Sequence, residues 1–166
     1  TVEAIEDSDA GTTQEAANLD ALYEAAARVH PAFAKVLEGL ESSGRVVAGR
    51  LKSRARAQQK LATEYFDREP PLARYLKDVV RGSIVVDSFE LVATTVAQLD
   101  SVRVKNRFRE PTFCGLRDVL VNIVVEGHVC EVQVQLRDLH RVAVETRSHK
   151  HYAFMRAYFV GNAATV

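Results

Sequence analysis

The stretch DVLVNIVVEGHVCEVQVQL, residues 118–136, decides the fold. Two runs rich in β-branched residues, Asp118 to Val125 and His128 to Leu136, flank Glu126-Gly127, which has the length and chemistry of a two-residue hairpin turn. That turn sets a register. Val119 faces Val134, Val121 faces Val132 and Ile123 faces Cys130, which makes one wholly apolar face. On the other face Asp118 meets Gln135, Leu120 meets Gln133 and Asn122 meets Glu131. A slip of one residue would mix the two faces, so their being in phase supports the pairing. Glu131 is the telling member, because a charged side chain is unusual in a strand unless it faces a cleft.

Working outward, the β pattern begins at Val79 to Val86, with Asp78 at its head. Asp87, followed three positions later by Glu90, resembles a capping arrangement that opens a helix to about Leu99. Val102 to Arg107 is the next strand, the loop REPTFCG leads into the hairpin, and a last helix is expected from about Asp138 to Phe159. Upstream, apolar residues from Leu19 to Leu40 recur at spacings of three and four, a helix that Pro31 is expected to break or restart. A second helical stretch follows Ser42-Ser43-Gly44 and runs to about Tyr65, with REPPL as a connector. Residues 1–13 are acidic and aperiodic and predict a flexible lead, leaving 14–166 as a single domain. The class is α+β, a mixed central sheet flanked by helices.

Composition narrows the function. At 166 residues with 47% hydrophobic content the chain can bury one core, and no apolar run approaches the length of a membrane span, so a soluble, cytoplasmic protein is expected. Numbering from Thr1 suits a piece of a larger polypeptide. Cys114 and Cys130 form no CxxC pair, which argues against a zinc site or a disulfide framework.

The formal net charge is zero but unevenly laid out. Arg45, Arg50, Lys52, Arg54, Arg56 and Lys60 occur with no acidic residue among them, and Lys52, Arg56 and Lys60 are spaced four apart, one stripe on a helix. Such a run is ordinarily a solvated face. A second row, Arg103, Lys105, Arg107 and Arg109, alternates along a strand and changes that weighing. Two basic rows suit a polyphosphate or a nucleic-acid backbone. Asp78 and Glu131 beside them supply the carboxylate pair that would hold Mg²⁺ and orient a hydroxyl, the competing reading being a salt-bridge network.

Together these segments resemble the synthetase domain of RelA/SpoT-type alarmone synthetases, over roughly Leu19 to Arg156. GRLKSRARAQQKL resembles that family's basic ATP-binding segment, with Arg50, Lys52 and Lys60 at matching places. KDVVRGSIVV resembles its metal-binding strand with Asp78 at the aspartate, VKNRFREPTFCGLRDVL its acceptor loop with Lys105, Gly115 and Arg117 matching, and CEVQVQL its EVQ strand with Glu131 and Gln133, followed by His140 and a helix. The chain departs from the pattern at Leu116, where the family carries a base-stacking tyrosine, at Leu120 for a histidine, and at Ser83 and Gln135 for arginines. These departures resemble divergent domains of toxins and multidomain proteins.

The resemblance implies a nucleotidyltransferase-like synthetase fold and transfer of pyrophosphate from ATP to a ribose 3′-hydroxyl with Mg²⁺. It assigns Arg50, Lys52, Arg56, Lys60 and Gln133 to the ATP phosphates, Asp78 and Glu131 to the metal and the proton, and Arg81 to the transferring group. Lys105, Arg107, Leu116, Arg117, Asn122 and His149 fall to the acceptor, a guanine or adenine nucleotide or an RNA 3′ end. The setting would be a cytosol, the producing cell's or a target cell's. A degenerate fold that binds nucleotide or RNA without turnover is the rival reading.

Overall fold

A computed structural model of the chain describes residues 1–112 and 115–146. In chain order the elements are β1 (Ser8–Asp9), α1 (Leu19–Glu38), β2 (Arg45–Ala48), α2 (Arg54–Glu64), β3 (Arg81–Val86), α3 (Phe89–Ala97), β4 (Ser101–Asn106), β5 (Val119–Val125), β6 (His128–Leu136) and α4 (Arg137–Glu145). The strands form one sheet in the order β1-β4-β5-β6-β3-β2. β3 and β6 run parallel and all other neighbours antiparallel, which gives the predicted mixed α+β sheet.

The hairpin has the predicted register, Val119 opposite Val134 through Ile123 opposite Cys130. Glu126 and Gly127 both take positive φ, 48° and 78°, the twist a two-residue turn needs to match its strands. The apolar face joins the core, where Val119, Val121, Val132 and Val134 are fully buried. α1 lies over this face and supplies Leu22, Ala26, Val29, Phe33 and Leu37, spaced so that one stripe turns inward. Gly82 of β3 permits the close approach, since a Cβ there would stand 2.3 Å from Leu37 Cδ1. The helix starts at Asn18, whose side chain accepts from the Ala21 N–H at 2.9 Å.

Four expectations are corrected. Pro31 does not break α1. It and Ala27, whose carbonyl loses its partner, are both exposed, so water can take that bond. Residues 45–48 are a strand rather than helix, because Val46 and Val47 complete an antiparallel ladder with Ile84 and Ser83. α3 is capped by Ser88, which accepts from Leu91 N–H, while Asp87 pairs with Arg137. The last helix is described to Glu145, and the rest of its expected span lies outside the described residues.

The fourth correction concerns the acidic lead. Residues 1–13 are laid against the sheet: Val2 is buried, β1 pairs with β4, and Asn106 donates to Val2 O and Ile5 O at 2.8 and 3.0 Å. Asp9 finds Lys77 and Arg103, each at 3.2 Å. The segment covers an edge strand that would otherwise expose unpaired backbone groups, and its Asp9 answers cations far away in sequence. Composition alone carries no sign of either partner.

Candidate active site

The polar face of the sheet forms the floor of a cavity of about 530 Å³, walled by α2 on one side and α4 on the other. Strand pairing aligns the floor. Arg81 lies opposite Glu131 across the parallel β3–β6 pair, Gln133 lies opposite Leu120, and Leu120 lies opposite Lys105 of β4. The period-two alternation of each strand therefore brings residues far apart in sequence onto one surface.

At the α2 end the charges are buried and in contact. Lys52 Nζ donates to Asp78 Oδ2 at 2.5 Å, and Lys60 Nζ lies 3.2 Å from the same oxygen. Lys52 precedes the helix rather than lying on it, held by its N–H on Val79 O and by the Tyr23 hydroxyl on its carbonyl. The predicted stripe is therefore Arg56 and Lys60 on the helix, with Lys52 brought beside them by the loop just before Ser53, which caps the helix.

Burial would raise the Asp78 carboxyl, but Lys60 and Lys52 outweigh it and hold it below the usual carboxylate range. Burial lowers Lys52 despite the attraction of Asp78, whereas Asp78 prevails over burial at Lys60 and raises it. Glu131 moves the other way: burial and then the Asp78 charge push its carboxyl up, while Gln133 Nε2 donates to it at 2.9 Å. Asp78 Oδ1 is buried without a hydrogen-bond partner among the described residues. Two buried carboxylates, one with an orphaned oxygen, fit an ion such as Mg²⁺, which takes one or two carboxylates and completes its shell with water and phosphate oxygens. No group of three or more His, Cys, Asp or Glu side chains among the described residues forms an alternative metal site.

The other end is looser. Lys105, Arg107, Leu116 and Arg117 line the cavity, with Arg103 beside them. Arg107 forms a two-pronged pair with Asp118, both contacts at 2.5 Å, and Arg117 donates to Phe108 O at 2.8 Å. β4 ends at Asn106, so Arg107 and Arg109 both fall beyond the strand and the basic row is shorter than its alternation predicts.

Two predicted residues do not reach the cavity. Arg50 is exposed in the loop before Lys52 and is not among the lining residues. Asn122 is buried, and its amide donates to Lys77 O and Cys130 O at 3.1 and 3.3 Å, so its hydrogen bonds tie β5 to β6 and to the turn before β3 instead of meeting an acceptor. His149 lies outside the described residues, as does Cys114. Cys130 is a buried thiol pushed up to about 12 by burial and is inert in the core.

Sequence reasoning missed Gln59, Thr63 and Tyr65 of the α2 wall, and Leu139, Val142 and Val144 of the α4 wall. Gln59 and Thr63 share the helix face of Arg56 and Lys60, so helical spacing was the available signal for them, whereas Tyr65 lies past the last helical residue and off that face. His140 also lines the cavity, with Nδ1 2.7 Å from Gln135 Oε1.

A mixed sheet whose polar face carries Glu131, with Asp78 in the turn that enters β3 at Arg81 and a basic helix above, has a RelA/SpoT-like synthetase fold, and solved structures share it. Tas1, a Type VI effector solved with its immunity protein, is 25% identical and superposes with a TM-score of 0.57 over 80% of this chain and 73% of its own. Small alarmone synthetase 1 of Bacillus subtilis, bound to its product pppGpp, is 13% identical, with a TM-score of 0.57 over 80% of this chain and 78% of its own. A GTP pyrophosphokinase family protein from Streptococcus pneumoniae is 14% identical, with a TM-score of 0.56 over 81% and 75%. No protein-family model matches the chain, and no curated protein matches it. No described helix is long and apolar enough to cross a membrane.

Proposed function

We propose that this cavity transfers pyrophosphate from ATP to the 3′-hydroxyl of a nucleotide acceptor in a Mg²⁺-dependent reaction, releasing AMP. The observation that carries the reading is the buried pair Asp78 and Glu131, with the orphaned Asp78 Oδ1, lining one cavity together with Lys52, Arg56, Lys60 and Arg81. A surface that only gripped phosphate would gain nothing from buried carboxylates, which repel it. The likeness to a synthetase solved with pppGpp, and to a pyrophosphokinase family protein, points the same way.

In this reading the acceptor oxygen bonds to the β-phosphorus of ATP while the bond from that phosphorus to the α,β-bridging oxygen breaks, and AMP leaves with the bridging oxygen. Glu131, its carboxyl pushed up by burial, is basic enough once ionised to draw the hydroxyl proton. Lys52, Arg56 and Lys60 hold the ATP phosphates, and Arg81 neutralises the transferring group. Asp78 and Glu131 would hold Mg²⁺, which supplies charge stabilisation to the phosphoryl oxygens when bound. Most of the acceleration comes from positioning and charge, as in other phosphoryl transfers. A cytosol, the producing cell's or a target cell's, provides both ATP and Mg²⁺.

Incubating the protein with labelled ATP, Mg²⁺ and GDP, GTP, ADP, ATP or tRNA in turn tests this. One acceptor should yield AMP and a pyrophosphorylated product in equal amounts. Absence of AMP with every acceptor would sink the enzyme reading and leave a nucleotide-binding fold.

A further inference from the structure

Glu131, Gln133 and Gln135 alternate along β6 so that all three line the cavity. α4 follows β6 with no intervening loop, and its first turn sets His140 against the last of them. The four side chains are joined end to end. His140 Nδ1 lies 2.7 Å from Gln135 Oε1, Gln135 Nε2 donates to Gln133 Oε1 at 3.4 Å, and Gln133 Nε2 donates to Glu131 Oε1 at 2.9 Å. The ends of this ladder fix its direction. An ionised carboxylate only accepts, so Gln133 turns its N–H toward Glu131 and its carbonyl toward Gln135. Gln135 then donates to Gln133 and turns its own carbonyl to His140, which requires that Nδ1 carry a proton. Reversing Gln133 would set its carbonyl against the carboxylate, and reversing Gln135 would set two carbonyls together.

We propose that His140 is a positioning residue for the transfer: acting through Gln135 and Gln133, it locks both amides in one sense and holds the Glu131 carboxylate in one rotation, with Oε1 engaged and Oε2 left for the acceptor proton. The inference rests on the pyrophosphate-transfer reading and adds to it the group that orients its base. Gln133 and Gln135 are half-buried, long side chains that gain rotamer freedom when nothing fixes their far end. The imidazole, carried on a helix that grows directly from the strand, is that fixed end. A base held in its working rotation before substrate arrives has no reorganisation to undergo in the transition state.

NMR of ¹⁵N-histidine-labelled protein, at a pH where the imidazole is neutral, reads the tautomer. His140, assigned as the signal lost in His140→Asn, should carry its proton on Nδ1 and should shift toward the Nε2–H form in Gln135→Leu. In turnover, His140→Leu should lower kcat about 3- to 10-fold with both KM values within about 2-fold. His140→Asn, which keeps a donor at the δ position, should recover most of that loss. Gln135→Leu should cost about as much as His140→Leu, and the double variant no more than either, because both break one chain. An Nε2–H tautomer in the wild type, a tautomer unmoved by Gln135→Leu, or an Asn variant no better than Leu would each overturn the proposal. Additive losses in the double variant would overturn it too, and would mean that His140 meets the substrate directly. If His140→Leu does not fold, the wild-type tautomer and its response to Gln135→Leu decide. The expected tautomers without AMP release by the wild type would sink the transfer reading and keep the hold on Glu131; AMP release by a wild type in the Nε2–H form would do the reverse.

Discussion

The two ends of the cavity are built on opposite plans. At the α2 end Lys52, Asp78 and Glu131 are buried and Lys60 is partly buried; they are mutually in contact or coupled by charge, and anchored on a helix, the segment before its cap, the turn before β3 and the strand β6. At the other end Lys105, Leu116 and Arg117 lie on a strand end and a loop, half-buried or exposed. The first plan fixes charge before substrate arrives, which is where electrostatic stabilisation is strongest and substitution costs most. The second can be re-aimed cheaply, which on the proposed function would let one fold take different acceptors.

The sharpest way to break this contrast is Asp78→Asn. On the proposed mechanism it should cut turnover by about 10³ or more. It also leaves Lys52 and Lys60 buried without their counter-charge, which should cost about 3 kcal/mol of stability, visible as a lowered Tm. An Asp78→Asn protein of normal Tm and near-normal turnover would erase the distinction between the two ends.

Glu131→Gln should separate activity from stability. In the folded protein burial and Asp78 raise the Glu131 pKa above its unfolded value, so the native state holds a proton that the unfolded chain has released. Stability conferred by that proton is full below the unfolded value and falls as pH rises toward the folded one. The Gln variant lacks this loss. Its Tm should match wild type in acid and exceed it at pH 8, while AMP release falls at least about 10²-fold. A variant less stable than wild type at pH 8 would mean that Glu131 serves as a structural ion-pair partner.

What the sequence disclosed follows the same division. The hairpin and its two faces were legible because a two-residue turn fixes register and period-two alternation then assigns every side chain. Asp78, Glu131, Lys52 and Lys60 were legible because charge within β or basic stretches is conspicuous against its neighbours. β2 was hidden, since Val46 and Val47 sit in a run dominated by arginine and lysine, although Gly44 and Gly49 on either side were available as punctuation. Asn122 looked like a site residue because the polar face was visible, but no local pattern shows that Lys77 O and Cys130 O would consume its amide. Tyr65 was invisible for a related reason: its place beside Lys60 and Tyr75 is a tertiary fact.

The smallest effect should come from Lys105, and it isolates what the looser end contributes. Unlike Arg107, which is paired with Asp118, and Arg103, which reaches Asp9, Lys105 has no ion-pair partner among the described residues, yet its side chain lines the cavity. Removing it strands no buried carboxylate, so Lys105→Ala should leave Tm within a degree or two of wild type. What it removes is one cation for an anionic acceptor, which should raise the acceptor KM about 5- to 10-fold at low salt, with kcat and the ATP KM within about 2-fold. The increase should shrink as ionic strength rises, because a half-buried charge is partly screened. Arg107→Ala is the informative partner, since it exposes the acceptor to the same loss of charge while also leaving the buried Asp118 unpaired; it should lower Tm where Lys105→Ala does not. Equal effects of Lys105→Ala on both substrates would show that the cavity does not divide into donor and acceptor ends at this strand.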